Sequence, residues 1–439
     1  MTETKTRQMK PSGVPWLGDI PAGWDIVPSS RVFSEIKQKA GTNNPLPRLA
    51  FRYGEIVEKE CEGISDSPQH DENATCTVVH NDVIMINGLN LNYDLLSQRV
   101  AIVSKQGVIT SAYLAVAPAT IVVFPRFAMY LFKGYDARMV FHGFGSGIRK
   151  TLKFSDFKDI PFLLPPLPEQ RAIADFLDEK CAAIDAIVEE AKSGIEEYAK
   201  WKQSVVFQAV TKGLDPHAKM KDSGVEWIGE IPEEWKVAPL RFLTDSYKAG
   251  PFGSALITDQ LQKTGTILVY TPEHIAKREA ELPNNLYLPE ERREEMSQFF
   301  VKAGDVVFPI VGSLGRALQV TTSMPEGIIN QRLAKFRLRS DRIDANYFMW
   351  LFAKSEFFKQ HIEVVCRGSI IVNLTKSIVG DMPIPLPALP EQRAIAAYLD
   401  EKCTAIDALI EEKKQLIEDL GVYKKSLIYE TVTGKRRAG

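Results

Sequence analysis

Basic residues are the side chains with the clearest chemistry in this chain, and they concentrate in two segments. Residues 99–153 hold eight lysines and arginines against one acidic residue, a net charge of +7, and residues 316–339 hold five against one, a net charge of +4. The whole chain has a formal charge of −2. Positive segments in a nearly neutral protein predict surfaces that bind phosphate groups. A solvated charged face is the alternative interpretation.

Basic residues in and near these segments are the candidates for contact with nucleic acid. They are Arg99, Lys105, Arg126, Arg149, Lys150, Lys153, Lys248, Arg316, Arg332 and Arg367. Arg149, Lys150 and Lys153 follow a glycine-rich segment, 144–147. A compact basic cluster beside glycines favours contact with phosphates over the reading of bases.

The glycine-rich segment 144–147 (FGSG) has a second interpretation, the cofactor loop of a methyltransferase. Such a loop needs a following helix and an Asn/Asp-Pro-Pro-aromatic tetrapeptide, and residues 164–167 (LPPL) lack the amide and the aromatic ring. The chain has no Walker loop and no His-Glu-x-x-His motif. We therefore predict a basic turn, no cofactor-binding residue and no catalysis by this chain. Two rival functions are a fused methyltransferase or nuclease, and a coiled-coil scaffold that binds only proteins.

Cys61, His70, Cys76 and His80 are of metal-ligand types, but their spacing is wider than a structural zinc site uses, so we predict no metal. The chain has five cysteines and no C-x-x-C pair, which fits reduced thiols. It also lacks an apolar run long enough to span a membrane and an apolar segment near its N-terminus. These features predict a cytoplasmic protein.

The sequence segments that must position these residues occur twice in the chain. Residues 168–174 (PEQRAIA) recur at 390–396, a shift of 222 residues, and the likeness continues at that shift. Residues 9–21 match residues 220–232 at a shift of 211. A sequence repeated at fixed offsets folds as two like halves.

Each half ends in a long helix, which we expect at about 169–211 in the first copy. Apolar residues alternate steps of four and three, which is typical of a coiled coil. The predicted helix–helix interface is Leu177, Cys181, Ile184, Val188, Ile195, Leu399, Cys403, Ile406, Ile410, Ile417 and Leu420. Gly213 and Gly434 are the expected helix ends. A helix of this length measures roughly 65 Å.

The blocks before the helices mix strand and helix patterns, so the fold class is α+β. Strands are predicted at 77–79, 83–86, 121–124, 267–270 and 306–308, and a helix at 347–361. The predicted division is 1–166 for the first block, 167–215 for its helix, 216–388 for the second block and 389–439 for the second helix. The blocks share a frame while their loops differ, as two readers of different targets would.

The chain resembles the specificity subunit of type I restriction–modification systems over nearly its whole length. Three repeated motifs carry the resemblance. They are the LPxLPEQRAIA openings at 164–174 and 386–396, the DEKxxAID stretches at 178–185 and 400–407, and the SGVxW leaders that begin at 12 and 223.

This resemblance implies that the blocks are target-recognition domains, each reading half of a bipartite, asymmetric site in double-stranded DNA. The helices are then spacers that pair as an antiparallel coiled coil with pseudo-two-fold symmetry and bind modification subunits. Those subunits contribute S-adenosylmethionine and methylate adenine, while a restriction subunit contributes ATP and Mg for translocation and cleavage. No cofactor belongs to this chain, and recognition loops do not transfer between members of the family.

Overall fold

The structure is a computed structural model that describes residues 7–42, 44–59, 74–95, 98–252, 256, 261–312, 315–354, 356–366 and 374–438. The chain divides into two units. The first unit consists of Met1–Lys192 and Lys414–Gly439, and the second consists of Ser193–Lys413. Each unit contains one mixed block and a part of each long helix.

Twelve strands and four helices lie in the first half of the chain, counted over the described residues. The strands are β1 (Met9–Pro11), β2 (Asp19–Pro21), β3 (Asp25–Pro28), β4 (Phe33–Glu35), β5 (Leu49–Arg52), β6 (Glu55–Glu58), β7 (Thr77–Val79), β8 (Ile84–Ile86), β9 (Val100–Ile102), β10 (Gly107–Ile109), β11 (Leu114–Pro118) and β12 (Pro161–Leu164). The helices are α1 (Pro125–Ala137), α2 (Val140–Phe144), α3 (Phe154–Phe157) and α4 (Leu167–Lys212).

The second half follows a similar order. Its strands are β13 (Met220–Asp222), β14 (Glu230–Pro232), β15 (Lys236–Pro239), β16 (Thr244–Ala249), β17 (Ile267–Tyr270), β18 (Tyr287–Leu288), β19 (Asp305–Pro309), β20 (Leu318–Gln319), β21 (Gly327–Ile329), β22 (Leu333–Leu338) and β23 (Pro383–Leu386). Its helices are α5 (Pro272–Lys277), α6 (Ala345–Phe352), α7 (Phe357–Val365), α8 (Lys376–Gly380) and α9 (Leu389–Val432).

Each unit contains a four-stranded antiparallel sheet. The strand order is β4-β11-β8-β9 in the first unit and β16-β22-β19-β20 in the second. Ile84, Ile86, Val306 and Phe308 on the inner strands are fully buried. Branched and aromatic residues pack well on a pleated surface, which explains why these segments form strands.

A helix covers each sheet and joins it to the long helix. In the first unit Phe127 and Phe132 of α1 share one hydrophobic cluster with Ile84 of the sheet and Leu177 of α4. Helix α6 has the same position in the second unit, where its side chains cluster with the sheet and with Leu399 of α9. Burial of these apolar faces fixes the start of each long helix against its own block.

The repeated motif at the helix start has a structural explanation in its glutamine. The Gln170 side chain is fully buried, its Nε2 donates to the carbonyl oxygens of Val122 and Pro165 at 2.8 Å, and its Oε1 accepts from the Phe124 N–H at 2.7 Å. Gln392 makes three equivalent bonds in the second unit. A buried amide must find such partners, so the glutamine locks the junction between block and helix.

The glutamate of the same motif binds the leader segment. Trp24 Nε1 donates to Glu169 at 2.9 Å in the first unit, and Trp235 Nε1 donates to Glu391 at 3.1 Å in the second. Both indoles are buried. The leader and the helix opening are therefore repeated together because they contact each other.

Helices α4 and α9 pack antiparallel, as the sequence predicts. In the second unit Lys202 binds Asp407 at 2.6 Å, and the side chain of Lys413 lies against Gly194, so the two chain directions are opposed. In the first unit Lys424 binds Asp185 at 2.6 Å. The two ion pairs are equivalent, because Asp185 corresponds to Asp407 and Lys202 to Lys424 at the shift of 222. Each helix therefore contributes the lysine to one pair and the aspartate to the other.

Glycines in the left-handed region end both long helices. Gly213 has φ +75° and Gly434 has φ +72°. Gly213 lies against Trp235 of the second unit's leader, and Gly434 lies against Pro21 and Trp24 of the first unit's leader. A Cβ at Gly434 would collide with Pro21, so this end requires glycine for space as well as for conformation.

Two predicted elements differ from the structure. Residues 121–124 form a turn before α1 instead of a strand, and Ile121 is 90% exposed there. Gln170 takes up the backbone groups of Val122 and Phe124, which a strand would use for pairing. The helix predicted at 347–361 is two helices, since α6 ends at Phe352 and α7 begins at Phe357.

The unit boundaries cut across both long helices, because each block core includes side chains from both. The predicted division into blocks and helices follows chain order, whereas the units follow packing. In the described part of the chain, no helix has the length and apolarity needed to cross a membrane.

Candidate nucleic-acid interface

Arg99 lies inside the first unit and cannot contact phosphate directly. Its side chain is 1% exposed, and its guanidinium donates to the carbonyl oxygens of Asn87 at 2.9 Å and Leu89 at 2.8 Å, and to that of Asp94. The sequence-based assignment of Arg99 to the nucleic-acid surface is therefore wrong. Sequence gives only the charge of this arginine, whereas the fold surrounds it with backbone oxygens.

Two further basic residues of the segment have acidic partners. Arg126 pairs with Asp175 at 2.8 Å and with Asp178, both on α4, and Lys105 pairs with Glu58 at 2.8 Å on the exposed surface. Arg126 therefore attaches α1 to the long helix. Lys105 remains accessible, since surface pairs of this kind are weak and exchange with water.

Lys133 is only partly exposed, although it contributes to the net charge of the segment. It is half-buried on α1. Burial, and then the nearby positive charge of Lys424, lower the pKa of Lys133 from its ordinary value. The positive charge of residues 99–153 is thus reduced at the surface to a smaller set of side chains.

Arg149, Lys150 and Lys153 form the exposed basic cluster of the first unit. The first two lie in a tight turn in which Ser146 and Thr151 bond to each other through their backbones at 3.2 and 2.9 Å. Gly147 has φ +81° and Lys150 has φ +36°. The turn predicted at 144–147 is observed at 146–151, because Phe144 still belongs to α2, and it exposes the side chains of Arg149 and Lys150.

A second loop lies against this turn. The Leu91 N–H donates to the Lys150 carbonyl at 3.0 Å, and Asn92 Nδ2 donates to the Ile148 carbonyl at 3.1 Å. Tyr93 of the loop is 76% exposed and Ile148 of the turn is 94% exposed. Sequence reasoning missed these two residues, because an exposed apolar side chain has no signal in composition or charge.

The tip of the β5–β6 hairpin is a further exposed segment of the first unit. Tyr53 at this tip is 91% exposed and has φ +49°, and Gly54 lies directly against Gln98. Three chain segments, 53–54, 88–95 and 145–153, thus expose aromatic, amide and basic groups. Bases are read by such groups, and phosphates are bound by lysine and arginine.

The second unit exposes fewer basic residues than its sequence implies. Lys335 and Arg337 bind the buried Asp305, at 3.3 and 2.7 Å, and Arg339 binds Asp245 at 2.7 Å. Those three side chains hold strands together, so their charges are largely neutralised within the unit.

Arg316 and Arg332 are exposed, and Lys248 is half-buried with its ammonium bonded to Gln298. Phe252, 77% exposed, is a residue that sequence reasoning missed. Its loop adjoins the Arg332 loop, because Gly250 packs on the backbone of Asn330 and Gln331. Arg367 lies outside the described residues.

The sequence profile of the type I restriction modification DNA specificity domain matches residues 99–197 and 232–419, which make up more than half of the chain. The chain belongs to this family. Its two exposed basic surfaces are therefore parts of a DNA-recognition protein of a type I restriction–modification system.

Curated relatives agree over most of the chain. The type I restriction enzyme MjaVIII specificity subunit of Methanocaldococcus jannaschii is 26% identical over 424 residues, which is 95% of this chain and 94% of the relative. The EcoBI specificity subunit of Escherichia coli is 22% identical over 320 residues, which is 69% of this chain and 66% of the relative.

Solved structures show the same fold at low identity. A chain from a structure on complex assembly and conformational transition of the type I R-M system has a TM-score of 0.73 and 17% identity, covering 95% of this chain and 99% of that chain. The HsdS subunit from Thermoanaerobacter tengcongensis has a TM-score of 0.55 and 18% identity, with coverages of 95% and 98%.

In the predicted helix–helix interface of this specificity subunit, the positions near the start of each helix are buried and the later positions are half-buried. Leu177, Cys181, Ile184, Leu399, Cys403 and Ile406 are buried. The half-buried positions are Val188, Ile195, Ile410, Ile417 and Leu420. In the first unit Ile184 and Leu420 belong to one apolar contact region with Leu427. The buried positions contact the blocks as well as the other long helix, which explains why burial decreases along each helix.

Cys181, Cys366 and Cys403 of this specificity subunit are free thiols. Burial raises the pKa of both Cys181 and Cys403, as expected for apolar filling of a helix interface. Cys76 is buried while His80 is exposed. Cys61 and His70 lie outside the described residues. Among the residues that the structure describes, no group of three or more His, Cys, Asp or Glu is placed to hold a metal.

Proposed function

We propose that each unit of this specificity subunit reads one half of a bipartite, asymmetric site in double-stranded DNA. The observation that carries the proposal is the repetition of one frame with different loops. Both units share the four-stranded sheet, the Gln170 or Gln392 junction and the leader contact, whereas the exposed segments near Tyr93 and Phe252 differ in sequence. A shared frame with divergent loops suits two readers of unlike targets.

The chain itself performs no catalysis in this proposal, and the chemistry belongs to partner subunits. Modification subunits contribute S-adenosylmethionine and methylate adenine, and a restriction subunit contributes ATP and Mg. The geometry of the glycine-rich segment supports this assignment. Gly147 belongs to a tight turn closed between Ser146 and Thr151, and no helix follows it directly as a cofactor loop would require.

The long helices are the proposed binding site for modification subunits. Exposed apolar residues occur at equivalent positions in both copies, with Ile187 matching Leu409 and Trp201 matching Tyr423 at the shift of 222. Their exposures are 44% and 39% for the first pair, and 46% and 47% for the second. Each unit contains one residue from each pair. Repeated exposed apolar side chains suit two copies of one partner subunit.

Methylation-sensitive sequencing tests the proposed reading function. The chain is expressed with its modification subunit in cells that lack other adenine methylation, and the methylated motif is determined. We expect a motif of two unlike halves separated by unspecified bases. A continuous or palindromic motif would contradict two independent readers, and methyl transfer by the purified chain alone would contradict a non-catalytic subunit.

A pull-down tests the proposed binding site on the helices. Replacing Trp201 and Tyr423 with alanine should weaken assembly with the modification subunit at least about tenfold, the size expected for aromatic residues at the centre of an interface. Phe242→Ala is the matched control, since this residue is 53% exposed but lies in the second block. Equal losses for control and helix variants would contradict the assignment.

A further inference from the structure

We infer that residues 87–94 and the turn 146–151 form one base-reading surface, and that the buried Arg99 is the positioning residue that sets its shape. The inference rests on the proposed function, because it identifies the part of the first unit that distinguishes bases. It also gives Arg99 a role that neither its charge nor its position in the sequence indicates.

Arg99 holds both ends of the loop from inside the unit. Its Nη1 donates to the carbonyls of Asn87 and Leu89 at 2.9 and 2.8 Å, and its Nη2 donates to the carbonyl of Asp94. The Arg99 N–H donates to Asp136 on α1 at 2.9 Å. A planar guanidinium with several fixed donors can bridge carbonyls at two ends of a loop, whereas the single nitrogen of lysine cannot match that geometry.

The loop 87–94 fixes the position of the turn 146–151. The Leu91 N–H donates to the Lys150 carbonyl at 3.0 Å, and the Leu152 N–H donates to the Gly88 carbonyl at 2.9 Å. A Cβ at Gly88 would lie 2.6 Å from the Leu152 carbonyl, so the two segments have no space between them. Any shift of the loop therefore moves the turn with it.

The joined segments present groups that can discriminate bases. Tyr93 and Ile148 project with 76% and 94% exposure, next to the exposed side chain of Asn92. Apolar groups distinguish the thymine methyl in the major groove, and amide side chains pair with adenine. Arg149 and Lys150 lie beside Ile148 in sequence, so phosphate contacts can fix the position of this tip against the bases.

The second unit lacks this arginine clamp in its described residues. The contact between loop and following segment is kept, since the Leu374 N–H donates to the Ile310 carbonyl at 2.9 Å, as Leu152 does to Gly88. Arg316 follows the equivalent loop but is exposed. The Arg99 clamp is therefore an addition to the common frame. Differences in target are expected in such additions and not in the frame itself.

The test replaces Arg99 with glutamine and, separately, with lysine in the complex of full-length chain and modification subunit. We expect both variants to relax the first half of the methylated motif. Methylation at sites changed by one base in that half should rise about tenfold relative to the cognate site, the size of one lost base contact. Discrimination in the second half should stay unchanged, which provides a control within the same molecule. Arg31→Gln, which removes an exposed arginine of the same unit outside the basic segment, should relax neither half.

Surface variants keep the test decisive if Arg99 variants do not fold. Tyr93→Ala and Ile148→Ala should relax the same half of the motif as Arg99→Gln. The inference is overturned if these variants leave the motif unchanged or relax the second half. It is also overturned if Arg99→Gln folds and only weakens binding equally for all sequences. If the wild-type complex gives no two-part motif, the proposed function fails instead.

Discussion

At the scale of single residues, burial and ion pairing within the unit divide the basic side chains of the first unit into two classes. Arg99 and Arg126 form bonds within the unit, whereas Arg149, Lys150 and Lys153 remain exposed in and after a tight turn. Phosphate contact is sequence-independent and releases counterions, so it leaves a signature in the salt dependence of binding. The exposed cluster is therefore open to a direct test.

Replacing Arg149, Lys150 and Lys153 with alanine should weaken binding of the assembled complex to all duplexes alike. The slope of log affinity against log salt should flatten by up to about 0.9 per lost contact. Base preference in the first half-site should persist. The measurement is binding to cognate and one-base-changed duplexes across a salt series.

A control triple removes the same charge from exposed positions elsewhere in the first unit: Lys158, Lys180 and Lys192. An equal change of slope in the control would mean that net charge, and not the cluster, determines the effect. An unchanged slope for the cluster variant would exclude phosphate contact by these residues.

Asp136 provides a prediction about pH. Burial raises its pKa from 3.8 to about 6, despite the opposing N–H of Arg99. As pH rises from about 4 to about 6, the carboxyl ionises in the unfolded chain before it does in the folded one, so the free energy of unfolding falls across this window. Asp136→Asn should remove this fall and raise the free energy of unfolding at pH 7.5 by about 3 kcal/mol.

Denaturant unfolding of the variant and the wild type at several pH values measures this effect. Asp156→Asn is a suitable control, because this acid lies in the same unit at the start of α3 and bonds to the Ser146 hydroxyl at 3.2 Å. A parallel pH dependence of wild type and Asp136→Asn would disprove the prediction.

At the scale of elements, each long helix packs against a block with some side chains and exposes other apolar side chains to solvent. Leu177 is fully buried in the first unit's core, while Ile187 on the same helix is 44% exposed. The burial gradient along the helix–helix interface indicates that packing determines stability near the helix start, while part of the remaining helix surface is exposed.

A matched pair of substitutions on α4 distinguishes the buried positions from the exposed ones. Leu177→Ala should lower the free energy of unfolding by about 2–5 kcal/mol, because it leaves a cavity in a packed core. Ile187→Ala should change it by less than about 0.5 kcal/mol. Denaturant unfolding of the two variants provides the measurement, and comparable losses would show that Ile187 is buried in solution.

At the scale of the whole molecule, the two units repeat one set of internal contacts. Trp24 with Glu169 corresponds to Trp235 with Glu391, and the Asp185–Lys424 pair corresponds to the Lys202–Asp407 pair. These repeated contacts belong to the shared frame. Independent exchange of the loops is what such an organisation permits.

Exchanging residues 236–386 for the matching block of a relative should change one half of the methylated motif and leave the other half intact. The borders lie in β15 and at the end of β23, which pair with each other, so the exchange keeps the junction with α9. Motif sequencing of the chimaera measures the result. A change in both halves would show that the blocks do not read independently.

The sequence by itself determined the duplication, the long helices and their ends. These features depend on local periodicity, on proline and glycine, and on repeated motifs, all of which are visible without contacts. The helix predicted at 169–211 is observed as Leu167–Lys212, with Gly213 after its end. The strands predicted at 77–79, 267–270 and 306–308 also agree, because their apolar runs have one stable location in a core.

Only the tertiary structure decided which charges reach the surface and which loops meet. The bonds of Arg99 reach carbonyls at residues 87 to 94, and the bonds of residues 88 to 92 reach residues 148 to 152, so neither set can be inferred from adjacent sequence. The turn at 121–124 was predicted as a strand because its apolar residues cannot reveal that Gln170 occupies their backbone groups. Burial and pairing are properties of long-range contacts, and formal charge is not.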